Sequence, residues 1–219
     1  MTFLQPLSRK LSRNHVAFFV GGQEGVELLK ECYTENMKKI IVQEMLSVDG
    51  FFCGPNGEID WHNVDAEFNE MAAAFLDTID TLLFGRVTYE LMASYWPTEA
   101  ALRDDPRVAS RMNALKKVYF SKGQEKKLWN NSTILNEINA DDIQKMKEMP
   151  GKDIAIFGSG KIIEQLFPLG VIDEFRFIVN PVILGKGRTV FSTVEKTKKL
   201  TLIETKKFGN GNVLLSYAA

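Results

Sequence analysis

Residues 154–167 read Ile154-Ala155-Ile156-Phe157-Gly158-Ser159-Gly160-Lys161-Ile162-Ile163-Glu164-Gln165-Leu166-Phe167, and this stretch decides the fold of the chain. Its short apolar start predicts a buried strand, and the apolar residues after Gly160 recur at helical spacing. A strand that leads into a helix through small residues leaves backbone N–H groups free at the helix start, where they attract anions. We therefore expect a strand, a turn and a helix. The turn either holds the pyrophosphate of a nucleotide cofactor or is a plain tight connection.

The composition is that of an ordinary globular protein. Of the 219 residues, 45% are hydrophobic and 25% are charged, and the formal net charge is −1. A charge so close to zero gives no electrostatic reason to expect nucleic acid or a membrane surface as the main partner. No apolar run approaches the ~20 residues that span a bilayer. The two cysteines, Cys32 and Cys53, are too few for a disulfide framework, so we expect a reducing, cytoplasmic setting.

The first 36 residues differ from the rest of the chain. Residues 1–23 contain basic residues and no acidic one, which is also a feature of transit-like leaders. The sequence Met37-Lys38-Lys39-Ile40-Ile41-Val42 is typical of a domain start, because a methionine is followed directly by a first strand. We predict an N-terminal extension over residues 1–36 and one domain over residues 37–219.

Strands and helices alternate through most of this domain. The strands are predicted at residues 39–46, 81–84, 117–121 and 154–157. The helices are predicted at residues 64–76, 85–96, 141–149 and 160–167. Such alternation predicts an α/β fold, in which helices cover both faces of a mainly parallel sheet.

The C-terminal part and two connections have other patterns. Apolar and polar residues alternate within residues 174–182, 200–207 and 213–217, and Asn210-Gly211 predicts an antiparallel hairpin between the last two. A binding loop is predicted over residues 51–60, because Gly54-Pro55-Asn56-Gly57 breaks regular structure. A polar surface loop is predicted over residues 99–109, with a helix starting near Pro106.

Three predicted strand ends carry similar groups. They are Gly85-Arg86-Val87-Thr88, Ser121-Lys122 and Gly158-Ser159-Gly160-Lys161. The carboxyl ends of parallel strands meet at one sheet edge, where ligands bind. Together they supply helix starts, hydroxyl groups, an arginine and two lysines, which suits a dinucleotide with an extra phosphate. This combination favours NADPH over NADH as the cofactor. Taken singly, each turn has a second interpretation, namely a plain connection that carries a solvated charged side chain.

Several other kinds of site do not fit the sequence. The usual dinucleotide fingerprint needs a third glycine where Ile163 stands, and no P-loop sequence occurs. Ser159 lacks the Gly-x-Ser-x-Gly frame of a nucleophilic serine. The histidines His15 and His62 and the two cysteines are too scattered for a metal site, so no metal is expected.

The order and spacing of several short patterns resemble the dihydrofolate reductase-like superfamily. The nearest branch is the reductase domain of the bifunctional deaminase-reductase of riboflavin synthesis, and the resemblance covers residues 38–217. The matching residues are Ser47-Val48-Asp49-Gly50, Gly57-x-Ile59-Asp60-Trp61, Phe84-Gly85-Arg86-x-Thr88-Tyr89-Glu90, Asn113-Ala114, Val118-Tyr119-Phe120-Ser121, Trp129-Asn130-Asn131, Gly151-Lys152-Asp153-Ile154, Gly158-Ser159-Gly160, Asp173-Glu174 and Pro181-Val182-Ile183-Leu184-Gly185-x-Gly187-x-x-x-Phe191.

The resemblance implies a three-layer α/β sandwich with a C-terminal antiparallel hairpin, and NADPH as cofactor. By position, Gly85, Arg86, Val87 and Thr88 would meet the phosphates from one side, and Ser121 and Lys122 would meet the adenosine end with its 2′-phosphate. Gly158, Ser159, Gly160, Lys161 and Ile162 would enclose the pyrophosphate. The loop over residues 47–50 and Trp61 would border the nicotinamide and the substrate.

The catalytic group is not fixed by the resemblance. Dihydrofolate reductases place a carboxylate on the first helix; Asp65 lies near that position, and Asp49 and Asp60 compete with it. The alternative to a catalytic role for Asp65 is that its carboxylate simply caps the start of the helix.

The predicted function is hydride transfer from NADPH to a C=N or C=O bond of a small heterocycle, such as a pterin, a folate-like molecule or a pyrimidine. The alternatives are a protein that binds NADPH or a folate-like ligand without turnover, and a structural dimer module. The resemblance also suggests a homodimer. The face of Phe175, Phe177 and Val179 would serve it, or would pack on the chain's own core.

Overall fold

The computed structural model describes residues 37–123 and 129–219, and the predicted extension over residues 1–36 lies outside them. The strands are β1 (Ile40–Ser47), β2 (Phe51–Cys53), β3 (Ile79–Gly85), β4 (Lys116–Phe120), β5 (Ser132–Leu135), β6 (Asp153–Phe157), β7 (Glu174–Asn180), β8 (Arg188–Thr189), β9 (Thr201–Lys207) and β10 (Val213–Ala218). The helices are α1 (Ala66–Leu76), α2 (Arg86–Tyr95), α3 (Glu99–Asp104), α4 (Pro106–Ala114), α5 (Ala140–Glu148) and α6 (Gly160–Leu166), with a 3-10 turn at Phe167–Leu169.

Within the described residues, eight strands form one sheet in the order β5-β4-β3-β6-β1-β7-β10-β9. In this order, the six strands β5, β4, β3, β6, β1 and β7 run parallel to one another. The strand β10 runs antiparallel to both β7 and β9, while β2 and β8 pair separately. The predicted mixed, mainly parallel sheet with antiparallel C-terminal strands is confirmed.

Helices cover both faces of this sheet because the central strand β1 is apolar on both sides. Its residues Ile40 and Val42 are fully buried, in one core cluster with residues of α5 and α6. Its residue Ile41 points to the opposite face, in a core cluster with residues of α1, α2 and α4. Successive strand residues point to opposite faces, so one strand supports both helical layers. The predicted three-layer arrangement is confirmed.

Residues 99–104 form helix α3, which corrects the predicted surface loop, whereas the helix predicted to start near Pro106 is confirmed as α4. The Thr98 hydroxyl accepts a hydrogen bond from Ala101 N at 3.2 Å and so caps α3, where Ala101 is fully buried. The Asp105 carboxylate then accepts from Val108 N at 3.0 Å and caps α4. A six-residue helix that buries a single alanine has too few apolar residues for a periodic signal, and the polar caps resemble loop residues.

The first part of the predicted binding loop is also regular structure, because Phe51–Cys53 forms β2 and pairs with β8. At the other end of the domain, the predicted hairpin is confirmed. Gly211 has a φ of +91° and donates from its N–H to Phe208 O at 3.1 Å. Glycine adopts this positive φ without steric cost.

The β7 face that was one option for a dimer interface lies inside the domain. Phe175 is 0% exposed and Phe177 is 9% exposed, and Phe191 packs against both rings at 5.6 and 6.1 Å between centroids. These two phenylalanines therefore belong to the core of their own chain. The homodimer itself stays a prediction. No helix of residues 37–123 and 129–219 is long and apolar enough to cross a membrane.

Candidate functional site

The topology places a crevice between the adjacent central strands β1 and β6. After β1 the chain continues to α1 on one face and enters β3, whereas after β6 it continues to α6 on the other face and enters β7. Neighbouring parallel strands whose connections leave over opposite faces form a switch point, and ligands of open α/β sheets bind at their carboxyl ends. The candidate site is therefore the sheet edge where β1 and β6 end.

The turns after β3 and β6 are joined by a hydrogen bond. The Ser159 hydroxyl accepts from Gly85 N at 3.0 Å and donates to Phe157 O at 3.2 Å. Ser159 is buried and has a φ of +66°, an uncommon backbone conformation for a residue other than glycine. Its side chain thus fixes one strand end against another, and the part of this residue that remains for a ligand is its backbone.

Two glycines let neighbouring groups approach the turn after β6. A Cβ added at Gly158 would lie 3.1 Å from Thr88 Cγ2, and one added at Gly160 would lie 2.9 Å from the ring of Phe52. The turn is therefore packed against α2 on one side and against β2 on the other. The absence of side chains at these two positions lets the turn pack closely between α2 and β2.

The other predicted cofactor residues differ in their exposure. Ile162 is buried, and a Cβ added at Gly85 would lie 3.3 Å from its Cγ1, so its side chain supports the turn. Val87 is 65% exposed and Lys161 is exposed. Arg86 is half exposed and forms an ion pair with Glu90 at 2.9 Å, one helical turn away.

Ser121 and Lys122 lie farther along the same edge. Ser121 follows β4, is buried, and donates from its N–H to Leu135 O at 2.9 Å, while Lys122 is exposed. Because β4, β3, β6 and β1 are neighbours in that order, the predicted groups form a line. Three strand spacings give this line a length of about 14 Å, which suits an extended ligand better than a single phosphate.

Of the predicted catalytic residues, Asp49 links two loops. Its carboxylate accepts from Leu184 N at 3.1 Å and from Gly185 N at 2.7 Å. Hydrogen bonds, first from the Ser47 side chain and then from these amides, hold the pKa of Asp49 below its usual range. An ionised carboxylate in this role fixes the loop after β1 against the loop after β7.

Asp65 is the N-cap of α1. Its carboxylate accepts from Phe68 N at 2.8 Å, and the side chain is half-buried. Trp61 donates from Nε1 to Glu58 O at 3.2 Å and packs edge-on against His62. The structure thus gives Asp65 a capping role, and catalytic roles for Asp65 and Trp61 stay predictions.

Two residues that sequence reasoning missed lie side by side in β1. Glu44 is 3% exposed, its Oε1 has no hydrogen-bond partner, and burial raises its pKa to about 8. Gln43 points to the opposite face, and its Oε1 is likewise buried without a partner. The available signal was a carboxylate in the middle of a mostly apolar strand, since buried acids need a partner or become neutral.

Burial lowers the pKa of His62 to about 4, and its Nε2 has no hydrogen-bond partner. In the part of the chain that the structure describes, no three His, Cys, Asp or Glu side chains are placed to hold a metal ion.

Two surface grooves of about 380 and 500 Å³ lie at the opposite edge of the sheet, where the strands begin. The larger one contains charged groups that already have partners, such as Arg111 and Asp77 at 2.7 Å. The smaller one contains Arg176, which lies 3.5 Å from Glu174 and stacks on Phe75. Neither groove adjoins the turns of the candidate site.

The sequence is similar to one family model and to two curated relatives. The model of the RibD C-terminal domain matches residues 38–214. The uncharacterised protein YyaP of Bacillus subtilis is 33% identical over 186 residues, which is 84% of this chain and 97% of YyaP. The uncharacterised protein YwjB of the same organism is 28% identical over 174 residues, covering 78% of this chain and 93% of YwjB.

Solved structures share the fold at low sequence identity. A protein from Shewanella sp. PV-4 named for riboflavin biosynthesis has a TM-score of 0.63 at 20% identity, covering 82% of this chain and 98% of that one. The bifunctional pyrimidine deaminase and uracil reductase of Thermotoga maritima has a TM-score of 0.61 at 15% identity, covering 90% and 60%. Enterococcus faecalis dihydrofolate reductase, solved with NADP(H), has a TM-score of 0.53 at 14% identity, covering 82% and 95%.

Proposed function

Because the chain belongs to the RibD C-terminal domain family, we propose that it is an NADPH-dependent reductase. It transfers a hydride to a C=N or C=O bond of a small pterin-like, folate-like or pyrimidine-like heterocycle. The observation that carries the proposal is the line of turns at the carboxyl edge of β4, β3, β6 and β1, in which the Ser159–Gly85 hydrogen bond joins the two central turns.

The residues of this edge fit the parts of NADPH in order. The exposed Lys122 and the turn at Ser121 suit the adenosine end with its 2′-phosphate, because lysine binds phosphate as a point charge. The helix α2 begins after Gly85 without a side-chain cap, and a helix start of this kind suits a phosphate. The turn over residues 158–161, where α6 begins, suits the pyrophosphate because a helix start attracts anions, and the loop that Asp49 anchors borders the nicotinamide.

NADPH, when bound, supplies the hydride, and one proton must reach the heteroatom of the acceptor. The protein holds donor and acceptor in contact and keeps water out, which accounts for a large part of such a rate enhancement. Asp65, the N-cap of α1, is the candidate proton donor, directly or through water. Asp49 and Trp61 shape the loops around the acceptor.

The test is NADPH binding by calorimetry, followed by NADPH oxidation at 340 nm with a panel of pterins, pyrimidines and small carbonyl compounds. We expect micromolar or tighter NADPH binding, weaker NADH binding, and turnover with at least one acceptor. Binding without oxidation of any acceptor would assign the protein to non-catalytic cofactor binding. Failure to bind either dinucleotide would contradict the proposal and favour a structural role.

A further inference from the structure

Glu44 is a carboxyl group buried beneath the crevice. It lies on the α6 face of β1, in register with Phe177 of β7. On the other side, Gln43 is in register with Phe157, so the β6 residue next to Glu44 is Gly158, which has no side chain. Glu44 is 3% exposed, and its Oε1 has no hydrogen-bond partner.

The residues that the sheet register places next to Glu44, Phe177 and Gly158, are uncharged. Phe52 of β2 covers the start of α6 at Gly160, and the adjacent Cys53 is buried. Burial is the main cause that raises the pKa of Cys53, and Glu44 adds to it. Arg188, which pairs with Cys53 in the sheet of β2 and β8, lowers this pKa, and Glu58 raises it. Burial likewise raises the pKa of Glu44 to about 8, so its carboxyl is mostly protonated at pH 7.

A buried polar group without a partner costs free energy, whereas an apolar residue at this strand position would not. Perturbed, unpartnered acids of this kind cluster at functional sites. The protonated carboxyl offers one O–H donor and one carbonyl acceptor. A ligand group that complements this carboxyl is neutral and has both an N–H donor and a carbonyl acceptor. A phosphate is a poor match, because the ionised form of the Glu44 carboxyl would repel it.

We propose that Glu44 holds the carboxamide of the nicotinamide, with its carboxyl and the carboxamide paired by two hydrogen bonds. The inference rests on the proposed function and adds a positioning residue to it. Phe177, in register with Glu44, supplies an aromatic ring on the same face of the sheet. Fixing the carboxamide fixes the rotation of the nicotinamide ring, and therefore the face from which the hydride leaves.

The test compares two ligands in binding titrations: NADPH, and 2′,5′-ADP, which lacks the nicotinamide. In Glu44→Leu we expect NADPH binding to weaken about tenfold, the value of two lost hydrogen bonds, while 2′,5′-ADP binding changes less than about twofold. In Glu44→Gln, which keeps a donor and an acceptor, NADPH affinity should stay within about threefold of wild type. Wild-type protein should also bind NADPH more tightly than reduced 3-acetylpyridine adenine dinucleotide phosphate, whose ketone cannot donate, and Glu44→Leu should bind the two equally.

Wild-type NADPH affinity in Glu44→Leu, or an equal loss of both ligands, would overturn the inference while leaving the proposed cofactor site intact. If wild-type protein binds neither ligand, the proposed function fails and the inference fails with it. Should Glu44→Leu not fold, the pH dependence decides. Wild-type affinity for NADPH should fall above about pH 8 as the carboxyl ionises, and Glu44→Gln should show no such fall. Parallel curves for the two proteins would overturn the inference.

Discussion

The Ser159 hydroxyl accepts a hydrogen bond from Gly85 N at 3.0 Å, although the two residues lie 74 positions apart in the chain. The bond joins the ends of β6 and β3. This bond fixes the two turns that we propose to enclose the phosphates. It has its counterpart at the other end of the crevice, where Asp49 anchors the loop after β1 to Gly185 N at 2.7 Å.

Ser159→Ala removes the bond between the two turns. The Gly85 amide is then left without its partner, so we expect a loss of about 1–2 kcal/mol in the free energy of unfolding and weaker NADPH binding. The matched control is Ser94→Ala, because the Ser94 hydroxyl makes an exposed bond to Leu91 O on α2. We expect the control to stay within about 0.5 kcal/mol of wild type. Denaturant unfolding measures both, and equal effects would show that the Ser159 bond has no special role.

Gly158→Ala tests the close approach of the turn to α2. Its φ is +56°, and the new Cβ would lie 3.1 Å from Thr88 Cγ2. The control is Gly170→Ala, at φ +67° with no atom within 4 Å of the added Cβ. Both carry a left-handed backbone cost of about 1 kcal/mol, and we expect Gly158→Ala to cost about 1 kcal/mol more. The double variant Gly158→Ala with Thr88→Ser should recover part of the difference, and a double-mutant cycle with no coupling would contradict the contact.

Asp65→Asn separates capping from proton donation. Asparagine caps helices as well as aspartate does, so stability should change by less than about 0.5 kcal/mol. If Asp65 supplies the proton, turnover should fall about 100-fold or more, with NADPH affinity unchanged. The control is Asp105→Asn, which alters the equivalent cap of α4 and should leave turnover unchanged. Wild-type turnover in Asp65→Asn across the pH range would remove this residue from the mechanism.

Glu44 should make the stability of the protein depend on pH. Its pKa is raised from 4.5 to about 8 in the folded state, so the unfolded chain loses this proton more readily. The stabilisation is therefore fully present below pH 4.5 and is lost progressively as the pH rises to 8, by up to about 5 kcal/mol. The difference between wild type and Glu44→Gln in urea unfolding from pH 5 to 9 isolates this effect from other groups. A difference that does not change with pH would show that Glu44 is not buried as an acid.

Several parts of the fold were predictable because their signals are local. The apolar residues 154–157, the glycines after them and the helical spacing beyond predicted β6, its turn and α6. Asn210-Gly211 likewise predicted the hairpin between β9 and β10, since the backbone of glycine allows the positive φ of the turn. Helix α3 escaped because it is too short for a periodic pattern, and β2 escaped because its partner β8 lies more than 130 residues away.

The candidate site was predictable only in outline. The sequence placed Gly85, Ser121 and Gly158 at strand ends, and the parallel sheet did bring those ends to one edge. It did not show that the Ser159 hydroxyl is used within the protein, that Ile162 is buried, or that Asp49 anchors a loop. Each of these facts depends on which strands become neighbours.

The sequence by itself determined most of the elements, their alternation and the family, because side-chain periodicity and turn chemistry act over a few residues. The tertiary structure decided the order of the strands, and with it the crevice between β1 and β6. It also decided the state of Glu44, since the same carboxyl would be ionised in an exposed strand and is neutral only where β2, β6 and β7 exclude water from it.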